Sequence, residues 1–241
     1  RFLRNGKFNR VYDLQTSDRS GFYYKLFWPG PKPEWSGIAR GCSHPHANPQ
    51  RDSMHSIDRM AEQLADAGIA NVPLPSLSGP DIDLEGFGLR SPFVLICPGG
   101  APHRPAKRWT AERFGLFAKK LADYRLTPVL IGTESEADVL SKIDQMCPKA
   151  RNLMGRTGFL DIAALAARSV LAIGNDTGPM HIAASAGAPS ILLFSRESDT
   201  KLSAPRGLGK NAVSIVREGD LRQLTVNRVM DEVLRRLDLT D

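Results

Sequence analysis

The stretch Gly174-Asn175-Asp176-Thr177-Gly178-Pro179-Met180-His181 decides the fold of this 241-residue chain. An apolar strand, Val170 to Ile173, runs into it, and a helix of small residues, Met180 to Ala186, leaves it. Strand, tight polar turn and helix N-terminus is the arrangement with which α/β proteins hold phosphate. Thr177 or Gly178 can cap the helix, and Pro179 falls near its first position, where a missing N–H costs nothing. The N–H groups of the first turn then face the carboxyl end of the strand. His181 adds a further donor for an anionic ligand. The same residues also suit an ordinary capped helix on a Rossmann-like sheet, so the turn by itself does not establish a ligand.

Outward from this turn the pattern is regular. Strands are expected at Phe93 to Cys97, Pro128 to Ile131, Asn152 to Met154, Ser190 to Phe194 and Val213 to Val216. Helices alternate with them. Ala111 to Tyr124 carries Phe114, Phe117, Ala118 and Leu121 on one face, and Ser135 to Met146 carries Val139, Leu140, Ile143 and Met146. Leu160 to Ala167 is a third. Short continuous apolar strands between helices imply a parallel sheet covered on both faces. A last helix, Val226 to Leu237, has a full apolar stripe. Upstream, Val11 to Leu14 reads as a strand and Ser20 to Phe27 as a helix. Residues 29–53, rich in Pro, Gly, Ser and His, read as an irregular surface loop. Residues 54–67 have Ile57, Met60, Ala61 and Leu64 at helical spacing. Residues 71–91, with Pro73, Pro75, Gly79, Pro80, Gly86 and Gly88, read as the domain boundary.

Composition narrows the function. Apolar residues make up 41% and charged residues 24%, which predicts a packed core rather than disorder. Cys42, Cys97 and Cys147 fit neither a zinc spacing nor a disulfide framework, so a reducing compartment is expected. A net charge of +6 suits a phosphate-bearing partner, a nucleic acid or an anionic membrane surface. The basic residues are scattered rather than striped, which argues against nucleic acid. No apolar run approaches the roughly 20 residues of a membrane span. Neither Gly-x-Gly-x-x-Gly nor Gly-x4-Gly-Lys-Ser/Thr occurs, which removes the usual dinucleotide and P-loop signatures. The chain opens Arg1-Phe2-Leu3-Arg4 and reaches its first strand almost at once, as a piece of a longer polypeptide would.

Two more turns follow strands. Pro98-Gly99-Gly100-Ala101 lets a ligand approach the backbone, and the cluster His103-Arg104-Pro105-Ala106-Lys107-Arg108-Trp109 suits a diphosphate, although a solvated charge run looks the same. Gly132-Thr133-Glu134 places a carboxylate where nucleotide folds bind ribose hydroxyls, or where it only favours the next helix through its dipole. All three turns sit at carboxyl ends of parallel strands, where open α/β sheets bind ligands.

Pro98-Gly99, Lys107-Arg108-Trp109, Gly132-Thr133-Glu134 and the 174–181 run together resemble the heptosyltransferase family. Val11-Tyr12-Asp13-Leu14-Gln15 and the helix from Met54-His55 to Arg59 are similar to its amino-terminal domain. The resemblance implies an α/β fold of GT-B type, with two Rossmann-like domains and parallel sheets, the amino-terminal one incomplete. Residues 1–88 would be the remainder of the acceptor-side domain and residues 89–222 the nucleotide-sugar domain. Residues 223–241 would be a terminal helix packing back on the amino-terminal domain. It further implies an inverting, metal-independent transfer of heptose, or a similar sugar, from ADP-heptose to a lipopolysaccharide-core or related glycan acceptor. Lys107 would contact the donor phosphates, Glu134 the ribose, and Asp176 the region of sugar and diphosphate. Thr177, Gly178 and His181 would hold the diphosphate. Gly99, Gly100 and Arg104 form a possible donor loop. The carboxylate that serves the family as general base lies on an opening Gly-rich loop missing here, so no catalytic residue is named in this chain. No Asp-x-Asp pair lies near these turns, and neither metal nor cofactor is expected. The implied partners are the nucleotide-sugar donor and a glycolipid acceptor, with no nucleic acid and no stable protein partner. The implied location is cytoplasmic, peripheral to the inner membrane of a bacterium. The alternative is a nucleotide-sugar-binding module without activity of its own, which a transfer assay would distinguish.

Overall fold

The apolar segments downstream of residue 92 pair into one sheet. A computed structural model describes residues 2–77, 82–89, 92–209 and 212–239. They divide into two units, the first comprising residues up to 74 with Lys201–Ser203, the second Pro75–Thr200 and residues 204 onward. In the first unit, β1 (Arg10–Tyr12), β2 (Glu34–Gly37) and β3 (His44–Pro45) form a parallel sheet in that order. Helix α1 (Phe2–Asn5) precedes it, α2 (Asp18–Lys25) joins β1 to β2, and α3 (Ser56–Asp66) follows β3. Ser17 starts α2 with a capping box closed by Ser20, and Tyr24, Phe27, Trp35 and Ala39 form a small core.

The second unit carries β4 (Phe93–Cys97), β5 (Thr127–Leu130), β6 (Arg151–Asn152), β7 (Leu171–Asn175), β8 (Ser190–Phe194) and β9 (Val213–Arg217). Their order is β6-β5-β4-β7-β8-β9 and every pairing is parallel. The chain therefore winds outward from β4 on one side and from β7 on the other. The crevice between their carboxyl ends is the topological switch point, where open α/β sheets bind ligands. Gly174 pairs with Cys97 across it, and a side chain at Gly174 would collide with the Cys97 carbonyl. Close approach of the two strands thus requires glycine at that position.

Side chains of β4 alternate between two cores. Val94 and Ile96 face α4 (Ala111–Asp123), α5 (Ala137–Met146) and α9 (Val226–Arg236). Phe93, Leu95 and Cys97 face α6 (Phe159–Arg168) and α7 (Gly178–Ser185). A short α8 (Thr200–Ser203) precedes β9. Thr110 caps α4 by accepting from the Arg113 N–H, which fixes where the chain turns from the basic loop into the core-facing helix.

Three expectations change. Residues 29–53 are not irregular throughout, because they contain β2 and β3, with Trp35 and Ser36 buried. The division between units falls near residue 74 rather than at 88. Leu84, Phe87 and Leu89 pack on the second unit's core, and Arg151 and Arg156 donate to the Phe87 and Gly86 carbonyls. Gly79 and Pro80 of the expected boundary lie outside the described residues. Finally, α9 does not spend its stripe on the amino-terminal unit. Val229, Met230 and Val233 are buried in the second unit's core, with Val226, Leu234 and Leu237 packed against it, because that face of the sheet needs a cover beside α4. The range 223–241 therefore belongs with 89–222.

Candidate functional site

A cavity of about 450 Å³ opens at the carboxyl ends of four adjacent strands. Gly99 and Gly100 line it after β4, and Gly132, Thr133 and Glu136 after β5. Thr157, Gly158 and Phe159 line it after β6, and Thr177 and Pro179 after β7. The three turns singled out in the sequence thus share one cavity. Phe159 at its edge is 79% exposed, an aromatic face held out to solvent. On the β7 side α7 begins at Gly178 with Thr177 as its N-cap. The Thr177 hydroxyl does not cap the helix but donates to the Asn175 carbonyl at 3.3 Å. The first turn therefore meets the cavity without a side-chain cap, and Pro179 occupies a position that needs no N–H.

Beside this helix start lies a charged cluster. Lys107 Nζ donates to Asp176 Oδ2 at 3.1 Å, and the Ser198 hydroxyl donates to the same oxygen at 2.9 Å. His181 Nε2 stands 3.9 Å from Asp176 Oδ1, longer than a hydrogen bond. Burial pushes the Asp176 carboxyl up, but the facing His181 ring, the Ser198 hydroxyl and the Lys107 ammonium outweigh it and hold the group at about 2. Asp176 is therefore an anion at neutral pH, hydrogen-bonded to Lys107 and Ser198 beside the helix start.

The loop that carries Lys107 is fixed from two sides. Trp109 is fully buried against Phe114 and Phe117, and its indole donates to the Leu224 carbonyl at 2.8 Å. Asn175, also buried, accepts from the Trp109 N–H at 3.0 Å. Its amide donates to the Pro98 and Gly99 carbonyls at 3.0 and 2.9 Å.

Of the residues named from the sequence, Lys107, Asp176 and His181 come together around the turn that carries Thr177 and Gly178, and Gly99 and Gly100 line the adjoining cavity. Arg104 is exposed at the start of the short Pro105–Lys107 turn and does not line the cavity. Glu134 is exposed and is also absent from the lining. The carboxylate that lines the cavity there is Glu136, two positions further on. Glu136 bends back to accept from the Thr133 N–H at 2.9 Å, the Thr133 hydroxyl at 2.6 Å and the Ser135 hydroxyl at 2.9 Å. Burial opposes its ionisation, but these bonds and the Arg108 charge win and hold it below the usual carboxylate value.

The cavity, the uncapped helix start and Lys107 lie together at the switch point of the sheet. The family model for glycosyltransferase family 9 (heptosyltransferase) matches residues 1–232. The chain belongs to that family. Lipopolysaccharide heptosyltransferase 2 of Escherichia coli is 33% identical over 119 residues, 46% of this chain and 34% of that protein. Lipooligosaccharide heptosyltransferase 2 of Haemophilus influenzae is 32% identical over 108 residues, 43% of this chain and 31% of that protein. The matches thus span about a third of these relatives' own length. Among solved structures, the Escherichia coli ADP-heptose heptosyltransferase II has a TM-score of 0.77 at 24% identity, covering 99% of this chain and 79% of that one. A family 9 glycosyltransferase from Veillonella parvula has a TM-score of 0.80 at 18% identity, covering 99% and 77%. The α/β fold with parallel sheets is the GT-B fold of these heptosyltransferases.

Sequence reading missed Asn175 as a bracket, Ser198 as a partner of Asp176, and Glu136. Glu136 had a local signal, since Thr133 and a carboxylate three positions later spell a capping box. Ser198 had none. It reaches Asp176 from the loop after β8, and only the strand order brings the two together.

Proposed function

We propose that this chain carries the donor site of an inverting glycosyltransferase that moves heptose, or a similar sugar, from ADP-heptose to a lipopolysaccharide-core acceptor. One observation carries the reading: the cavity over β6-β5-β4-β7 adjoins an uncapped helix start and the Lys107–Asp176 pair. Its size and lining suit a nucleoside, and the helix start suits a diphosphate. The adenosine then lies over Gly132 and against Phe159, with Glu136 accepting from the ribose hydroxyls. A carboxylate has about four acceptor positions, so Glu136 keeps capacity beyond its bonds to Thr133 and Ser135. The diphosphate lies at Thr177 and Gly178, with Lys107 and His181 beside it. The sugar extends toward Asp176.

The transfer is a direct displacement. A base outside this chain's named residues removes the proton of an acceptor hydroxyl. The hydroxyl oxygen attacks the anomeric carbon, the bond from that carbon to the phosphate oxygen breaks, and ADP leaves with inversion. Charge grows on the diphosphate as it departs, and the helix start, Lys107 and His181 are placed to stabilise it. Asp176 keeps Lys107 in position during this step rather than meeting the phosphates itself.

Calorimetry with ADP tests the site. Charge-assisted hydrogen bonds contribute roughly 1.5–3 kcal/mol, so Lys107→Ala lowers ADP affinity by about one to two orders of magnitude. His181→Ala slows transfer more than it weakens binding, because its effect falls on the departing charge. Unchanged affinity in folded Lys107→Ala protein would overturn the assignment. A transfer assay on the full-length protein separates a transferase from a module that only binds.

A further inference from the structure

We propose that Asn175 is a positioning residue for the donor diphosphate, acting through the loop from Pro98 to Trp109 rather than by touching the donor. The proposal rests on the donor site described above. An asparagine side chain has two N–H donors and one carbonyl oxygen. In Asn175 both ends are engaged, and every partner is a backbone group of that one loop. The amide nitrogen donates to the consecutive carbonyls of Pro98 and Gly99, and the oxygen accepts from the Trp109 N–H. Since two partners only accept and the third only donates, the orientation of the amide is fixed by its surroundings.

The three contacts grip the loop at both ends. Between them lie Gly99 and Gly100, which line the cavity, and Lys107, whose ammonium is held by the next residue along, Asp176. The loop's own backbone bonds are local: Arg104 to Ala101, Lys107 to Arg104, and Arg108 to Pro105. They shape its turns but do not fix it on the sheet. Asn175 does, because it is the last residue of β7 and pairs with Leu193 of β8. The dipeptide Asn175-Asp176 therefore sets the loop's backbone with one side chain and its cation with the other, from the strand end that also launches α7. A buried amide with both ends satisfied loses little to desolvation, while a loop placed about 1 Å off loses much of an oriented charge's benefit.

The test is a double-mutant cycle on the full-length protein, read by ADP calorimetry and thermal unfolding. Asn175→Ala lowers ADP affinity about tenfold or more, whereas in a Lys107→Ala background the same change costs less than about threefold, since the loop then carries no cation to misplace. Asn175→Asp keeps the acceptor for Trp109 but turns an oxygen toward the Pro98 and Gly99 carbonyls. It therefore binds ADP more weakly than Asn175→Ala, although it fills the site better. Additive losses in the cycle, affinity in Asn175→Asp equal to or above that of Asn175→Ala, or failure of both variants to fold would each overturn the proposal. Absence of ADP binding by the wild-type protein would instead overturn the donor site itself.

Discussion

Asp176 carries the site's charge balance, and its stability effect has a defined pH window. Its folded value is about 2 against an ordinary 3.8, a depression worth about 2 kcal/mol through linkage. A depressed carboxyl contributes fully above its unfolded value and loses the contribution as pH falls through the folded one. Asp176→Asn is therefore expected to unfold more easily than wild type at pH 7, with the gap closing between about pH 4 and pH 2. Urea titrations at several pH values measure it, and a gap independent of pH would remove the ion pair from the account. The neighbouring carboxylates divide differently. Glu136 lines the cavity and Glu134 does not, so Glu136→Ala should reduce the preference for ADP over its 2′-deoxy analogue while Glu134→Ala leaves it intact. Equal effects of the two would sink the ribose assignment. Lys107, Asp176, Thr177 and His181 stand out in the sequence because each lies in or beyond a turn that follows an apolar strand. Asn175 sits in the same run without a local signal, since its contacts are with residues 66 to 77 positions away.

At the scale of elements, legibility followed burial. Strands β4, β7 and β8 are buried along their whole length and appear in the sequence as largely apolar runs. Strands β2 and β3 are four and two residues long, with Trp, Ser, Gly, His and Pro, and such composition has no period to read. Helix α9 was legible as a helix but not in its destination. A stripe states that a face is buried and leaves open against what. Its place beside α4 predicts a purely structural role. Met230→Ala should cost about 2–5 kcal/mol and the cap change Thr225→Ala about 1 kcal/mol, with ADP affinity of the remaining folded protein unchanged. Denaturant unfolding paired with calorimetry checks both. Weaker ADP binding in a fully folded Met230→Ala protein would mean that the helix also shapes the site.

At the scale of the whole molecule, charge is unevenly spread. The first unit, residues 1–74 with 201–203, holds eleven lysines and arginines against seven acidic residues, so four of the net +6 charges belong to it. Among the described residues no helix is long and apolar enough to cross a membrane. If the acceptor is a glycolipid, as proposed above, this basic surface offers one electrostatic route to the bilayer. Each basic residue near an anionic surface contributes roughly 1 kcal/mol, and the attraction fades beyond a Debye length of about 8 Å at physiological salt. The full-length protein is accordingly expected to sediment with vesicles rich in phosphatidylglycerol at low salt, to ignore phosphatidylcholine vesicles, and to be released by about 0.5 M sodium chloride, where the Debye length shrinks to a few ångströms. Reversing Lys25 and Lys32 to glutamate should weaken that attachment while leaving ADP affinity in the second unit unchanged. Retention on vesicles through both high-salt and carbonate washes would show that attachment does not depend on this charge.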